Sequence, residues 1–321
     1  MKASYKNISL KILKITGIVI ASILLLLFLI PLLFPGQVSA EVKKIANERL
    51  DTKMDFSKSR LSFFTHFPSL TVSLDDLSMT GSAPFRNDTL IKAEQVAFGI
   101  NLKRLIFDNE VKINKLYVSK ALINIMVNQK GQANYNIYIS DPKNIKKEDQ
   151  PEEGTAIRLE RIDLKDCHVK YNDRSAKILV DANGFNYVGK GNLSEDIFDL
   201  STDADIDKLD FYYDRTGYVR RKRVHADLIT RINTNALSFI LQKNELQINK
   251  LPLKFTGLFT ILRDGYKINI KAASENTTVK DLLSVMPPEY LTWLDETEIS
   301  GRSDLLFTFK GNYNVAKKQK P

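Results

Sequence analysis

The chain has 321 residues, 43% of them hydrophobic, enough for two ordinary domains. Its formal charge of +9, from 47 basic and 38 acidic side chains, is scattered; it permits contact with anionic surfaces and establishes none. A single cysteine, Cys167, excludes an internal disulfide framework. His66, His168 and His225 lack metal-ligand spacing, so neither a metal nor a cofactor is expected.

Residues 1–14 carry Lys2, Lys6, Lys11 and Lys14 with no acid among them and read as a cytoplasmic tail. Residues 15–35 follow as a transmembrane anchor: no charge occurs from Ile15 to Ala40, and a helix of this length crosses an apolar layer of roughly 30 Å. A cleaved signal peptide is the competing reading, with Val38-Ser39-Ala40 as its cleavage site, although the apolar core exceeds the usual length. Either way the bulk of the chain leaves the cytoplasm.

Residues 36–140 form a first β segment. Glu41 to Leu50 reads as a short helix, then strands are expected at Met54–Phe64, Leu70–Met79 and Ile91–Leu102. Lys103 to Phe107 suggests a helical turn, Val111 to Val127 two strands or one long bulged one, and Asn128 to Asn136 a turn. Residues 141–155, with Pro142, Pro151, Gly154 and dense mixed charge, read as a flexible loop. Residues 156–315 resume the sheet, with turns near Asn183-Gly184, Gly189 to Gly191, Asp214 to Gly217 and Asp264-Gly265. A helix is expected within Thr278 to Trp293, Thr278 and Asp281 forming a capping pair. Leu305, Phe307 and Phe309 mark a last strand before the polar tail, residues 316–321.

One apolar rhythm recurs five times: two apolar residues one apart, a two-residue gap, two more one apart. It runs Val72, Leu74, Leu77, Met79; Val111, Ile113, Leu116, Val118; and Ile157, Leu159, Ile162, Leu164. It returns as Ile232, Thr234, Leu237, Phe239 and as Leu246, Ile248, Leu251, Leu253. Alternation places apolar side chains on one face of a strand, and a two-residue gap preserves that face only if a bulge absorbs the extra residue. In Val111 to Val127 the phase is expected to change once. The second and third copies match further at a constant offset of 46, Ala121, Ile123 and Ile125 answering to Cys167, Val169 and Tyr171. On pattern alone the usual solution is a self-packed sandwich or barrel.

The chemical candidates are few. His66 has no nucleophile motif beside it and reads as a loop histidine. Asp75-Asp76 fall in the gap of the rhythm and read as a solvated bulge rather than an acid/base pair. Cys167 sits on the apolar face as a core residue. Arg220-Arg221-Lys222-Arg223 is the one dense basic run, a solvated strand or hairpin tip, with Arg220, Arg221 and Arg223 the candidates for contact with anionic headgroups. Nothing points to an enzyme.

The order of parts resembles the AsmA-like family of envelope proteins. The resemblance rests on an anchor helix, a short helix, Phe63-Phe64-Thr-His-Phe67-Pro68-Ser-Leu70 and the aspartate-bearing strand ending at Met79. It continues through the Lys103-Arg104-Leu105-Ile106 turn, Gly131-Gln-Ala-Asn134-Tyr135, Leu282-Leu283-Ser-Val-Met-Pro287 and Gly301. Tyr135 stands where the family more often has tryptophan. The resemblance implies a mainly β fold with an N-terminal transmembrane helix: a long, curved, bulged antiparallel sheet forming an apolar groove, with few short helices. It implies an inner-membrane, single-pass protein with its bulk in the periplasm, shielding and passively conducting phospholipid between membranes, as bridge-like lipid-transfer proteins do. The alternative is a non-catalytic assembly factor acting through contacts with outer-membrane or envelope proteins; nucleic acid is not an expected partner. The groove candidates are Val72, Leu74, Val96, Phe98, Ile100, Val111, Ile113, Ile123, Ile125, Ile157 and Leu159.

Overall fold

The computed structural model describes residues 14–19, 22, 39–40, 43–44, 48, 50–62, 69–101, 104, 108, 112–137, 156–262, 265–287, 291 and 298–314. The fold is mainly β, 69% strand, one long curved open sheet with few helices. Its strands are β1 (Met54–Asp55), β2 (Lys58–Ser62), β3 (Leu70–Thr80), β4 (Thr89–Ile100), β5 (Lys112–Val127), β6 (Ala156–Asp173) and β7 (Ile178–Lys190). They continue with β8 (Ile197–Tyr213), β9 (Thr216–Asn233), β10 (Ser238–Ile248), β11 (Leu251–Leu262), β12 (Gly265–Thr278) and β13 (Arg302–Asn314), with helix α1 (Val279–Ser284) before the last. Spatial order follows chain order from β3 to β13, while β1 and β2 both pair with β3. The longest strands, 18 residues, span roughly 60 Å at 3.3 Å per residue.

All pairs are antiparallel except β5 with β6. Parallel neighbours need a long return connection, which the chain between Val127 and Ala156 supplies. The expected loop 141–155 lies in that connection, outside the described residues. The connection begins on a built turn: Asn128 Oδ1 accepts from the Lys130 and Gln132 N–H groups, and Gly131 adopts φ 76°. Asn134 then lies fully buried, its side chain donating to Asn124 O (2.7 Å) and accepting from Met126 N (2.9 Å). That amide does for the end of β5 what a further strand would do.

The parallel register of β5 and β6 is the sequence repeat itself. From Lys115 opposite Arg161 to Val127 opposite Asp173 the partners differ by 46, so equivalent residues of the two copies lie side by side. Near the start the register slips, and Ile113 pairs with Ile157.

Three of the five gaps in the rhythm are irregularities inside strands, and two are hairpin turns. In β3 the gap is Asp75-Asp76, with Asp76 at φ 52°. Asn114-Lys115 and Glu160-Arg161 fall where the β5–β6 register slips. The gap between Ile248 and Leu251 is instead the β10–β11 turn, and Thr234 to Leu237 is the β9–β10 turn. Residues flanking a two-residue hairpin loop are cross-strand partners and share a face, so a bulge and a tight turn leave the same trace in sequence.

Other expectations shift. Met54–Phe64 is two short strands within its described part, and Asn183-Gly184 is no turn but an irregularity inside β7, with Gly184 at φ 64°. Val111 to Val127 is one strand over its described residues, but its apolar phase changes twice. Ile113 is followed by Leu116 and Val118, then by Ala121, Ile123 and Ile125, with Lys120 at φ 48° before the second change. Thr278 caps α1 as expected: its Oγ1 accepts the Asp281 N–H (3.1 Å) and donates to that carboxylate (2.6 Å).

The anchor 15–35 lies mostly outside the described residues; residues 14–19 and 22 are helical. Among the described residues no helix is long and apolar enough to cross a membrane.

Candidate functional site

The site built by these strands is a face rather than a pocket. Cross-strand partners point to the same side of a sheet, so the register can be followed laterally. Leu74 lies opposite Val96, which lies opposite Val118, then Leu164, Tyr187, Ala204, Ala226, Leu246 and Leu253. The next row runs Val72, Phe98, Leu116 and Ile162. Further rows carry Ile91, Ile123, Val169 and Ala182, and Ile125, Tyr171, Val180 and Phe211. The opposite face reads Asp163, Val188, Asp203, Asp227 and Glu245 along an equivalent line. One side of the sheet is apolar over strand after strand; the other carries this acidic line from β6 to β10, broken by Val188, and continues over β3 to β5 as Ser73, Ala97 and Tyr117.

The apolar face is closed at one end and open at the other. Over β3 to β6 it is the core: Leu74 (1% exposed), Leu77, Val96, Val118, Ala121 and Cys167 pack with Phe56, and Leu50 and Ile137 lie against them. Over β8 to β13 the described cover is the helix α1, which lies against β11 and β12, and Val224, Ala226 and Leu251 are buried in that stretch. Phe198, Ile232, Phe239, Phe259 and Ile268 form one row there, all half-buried, and the tilted rings of Phe239, Phe259 and Tyr266 lie 6.0 and 5.9 Å apart in succession. At the edge Phe307 and Phe309 are 57% and 50% exposed.

Of the groove candidates, Val72, Leu74, Val96, Phe98, Ile100, Ile113, Ile123 and Ile125 lie on the apolar face, and Val72, Leu74, Val96, Phe98 and Ile123 lie in or against its closed core. Val111 lies outside the described residues, and of Ile157 only the backbone pairing with Ile113 is described. Leu159 is half-buried within the register slip, its carbonyl accepting the Leu193 N–H. No groove candidate lies on β8 to β13, although residues 156–315 were expected to continue the groove and the alternation at Phe255, Phe259, Ile268 and Ile270 is as regular.

The basic run divides by parity. Arg223 faces outward and pairs with Asp207 (3.2 Å), and the Arg221 N–H donates to Asp210 at φ 50°. Arg220 is half-buried. Lys222, not among the candidates, turns onto the apolar face opposite Leu209 and is only 7% exposed. Its ammonium donates to the Ser284 and Met286 carbonyls (2.7 and 2.9 Å), and Asn249 Nδ2 adds a bond to Ser284 O (2.8 Å). These donors satisfy carbonyls that the end of α1 leaves open and hold the helix at the end of the β10–β11 hairpin. Burial pushes the Lys222 pKa down.

The remaining chemistry is structural. Asp75 pairs with Arg60 (2.7 Å), and Asp76 accepts from Ser57 Oγ (2.7 Å). Burial pushes the Cys167 thiol up, away from reactivity. Among the described residues no group of His, Cys, Asp or Glu is arranged to hold a metal ion. His66 lies outside the described residues.

The AsmA family model matches residues 10–229, more than half of the chain. No curated protein and no solved structure matches it.

Proposed function

The chain belongs to the AsmA family, and from that premise we propose that it is a non-catalytic envelope protein that shields phospholipid acyl chains along its apolar face. In this reading it is anchored in the inner membrane by residues 15–35, with its sheet in the periplasm, and conducts lipid passively between membranes. The observation that carries the reading is the apolar row Phe198, Ile232, Phe239, Phe259 and Ile268, which runs across five strands and is only half-buried, leading to the exposed Phe307 and Phe309. Each methylene shielded from water contributes ~0.8 kcal/mol, so a face that covers most of an acyl chain offsets the cost of drawing it from a bilayer. The headgroup stays in water at the sheet margin, and no bond is made or broken.

A photo-reactive amino acid at Phe259 or Ile270 should capture phospholipid in cells, whereas the same probe at Lys267, on the opposite face, should not. Mass spectrometry of the protein purified in mild detergent should find stoichiometric phospholipid. Crosslinks from Phe259 and Ile270 to protein alone would mean that a partner covers the face, and the lipid reading would fail.

A further inference from the structure

The sheet margin formed by the β6–β7 and β8–β9 turns holds a cavity of about 940 Å³. Its floor is the last cross-strand row of the face opposite the apolar one: Asn172, Leu179 and Tyr212. The row before it on that face is Lys170, Asp181 and Asp210, so Leu179 and Tyr212 are an apolar step beside charged neighbours. The rim carries Arg174 and Lys177 from one turn and Asp214 and Arg215 from the other. Backbone bonds fix both turns: the Arg174 N–H donates to Val127 O (2.9 Å) and the Asp214 N–H to Lys177 O (3.0 Å).

The rim charges are unevenly matched. Lys177 pairs with Asp214 (2.9 Å), and Asp173, which also lines the cavity, accepts the Ser175 and Ala176 N–H groups. Among the described residues the exposed guanidinium groups of Arg174 and Arg215 have neither an ion pair nor a hydrogen bond. Arg215 stands at φ 71° in a two-residue hairpin loop, where glycine is the usual residue.

We propose that this cavity binds a phosphate ester, with Arg174 and Arg215 on the phosphate and the organic part lying on Leu179 and Tyr212. A guanidinium presents paired N–H donors that match phosphate oxygens. A phospholipid headgroup at the sheet margin and a soluble ester offer the same chemistry. The site stands on its own charges and shape, and it does not require the apolar face to carry acyl chains.

The test titrates the full-length chain, in non-ionic detergent and phosphate-free buffer, with inorganic phosphate, glycerol phosphate and dihexanoyl phosphatidylglycerol. At least one of the two esters should bind saturably. Arg174→Gln and Arg215→Gln should each weaken that binding roughly tenfold. Lys250→Gln, at an exposed lysine in the β10–β11 turn of the same margin, should leave it unchanged. Asp214→Asn should tighten it, because the variant removes a negative charge from the rim and frees the Lys177 ammonium. Arg215→Gly relieves the positive φ, so its loss of binding will not be a loss of fold. A tenfold preference for the short-chain lipid assigns the site to a headgroup, and equal affinity for glycerol phosphate assigns it to a soluble ester. Binding of inorganic phosphate alone, of none of the three, or of esters equally well by both arginine variants overturns the proposal. Ester binding that persists while Phe259 captures only protein would sink the acyl-chain reading and leave this site standing.

Discussion

Lys120 and Asp166 occupy equivalent places in two neighbouring parallel strands, 46 residues apart, and both adopt the left-handed conformation at φ 48° and 51°. Neither is glycine, and this conformation costs an ordinary residue about 1 kcal/mol or more. The cost is offset because the extra residue returns Ala121 and Ile123, and Cys167 and Val169, to the apolar face. Strands β3 and β4 take the same three-residue step at the same level, Leu74 to Leu77 against Val96 to Ala93, so their register stays unbroken there.

Lys120→Gly should therefore stabilise the protein or leave it unchanged, the lost surface pair with Glu94 being worth little. Lys120→Ile should destabilise it by about 1–2 kcal/mol, because a β-branched side chain is least tolerant of positive φ. Urea denaturation of the two variants checks this, and equal midpoints would show that the backbone there is unstrained.

How much of this was legible follows from the same geometry. Alternation in Leu74–Met79 and Ile123–Ile125 gave the apolar face, and the offset of 46 gave the β5–β6 register, because parallel copies of one pattern bury together only in register. The gaps were ambiguous: Asn249-Lys250 makes a hairpin and Asp75-Asp76 a kink, yet both keep their flanking apolar residues on one face. Asn183-Gly184 suits a left-handed residue in a turn or inside a strand equally well. Lys222 was hidden in a basic run, but it shares parity with Val224 and Ala226, and that signal marks it as inward. Which part of the face is covered depends on Phe56, Leu50 and Ile137 folding over it, long-range packing that no local pattern encodes.

The two ends of the face should respond differently to truncation. Leu74→Ala leaves a cavity in the closed core and should cost about 2–5 kcal/mol in stability. Phe259→Ala, at a half-buried position outside that core, should cost less and instead reduce the phospholipid recovered with the protein. Thermal unfolding and lipid mass spectrometry separate the effects. A Phe259→Ala protein as destabilised as Leu74→Ala would mean that the open part is core as well.

Holding α1 in place is the work of Lys222 and Asn249. Lys222→Met removes both ammonium donors while keeping the apolar stem, so the amides of residues 279–286 should exchange with deuterium faster, with the centre of the sheet unchanged. Asn249→Ala should give a smaller effect, since it removes one bond to Ser284 O. Uniformly faster exchange through β9 and β10 would instead show that Lys222 supports the sheet itself.

Tyr171 and Asp173 should shape stability at both pH extremes. Burial and the hydrogen bond to Asp173 (3.1 Å) push the Tyr171 pKa up to about 12. The folded state then holds that proton after the unfolded chain has released its own near pH 10, so stability falls as pH rises from about 10 to about 12. Burial acts to raise the Asp173 pKa, but hydrogen bonds from Ser175, Ala176 and Tyr171 outweigh it and hold the carboxyl below its ordinary value. Its stabilisation is present above the unfolded pKa of about 3.9 and is lost as pH falls through the folded one. Tyr171→Phe should flatten the alkaline loss and weaken, without removing, the acid one, because Ser175 and Ala176 still donate to Asp173. Denaturation midpoints across pH, compared between wild type and Tyr171→Phe, test both limbs. An alkaline loss that persists unchanged in the variant would assign it to another group.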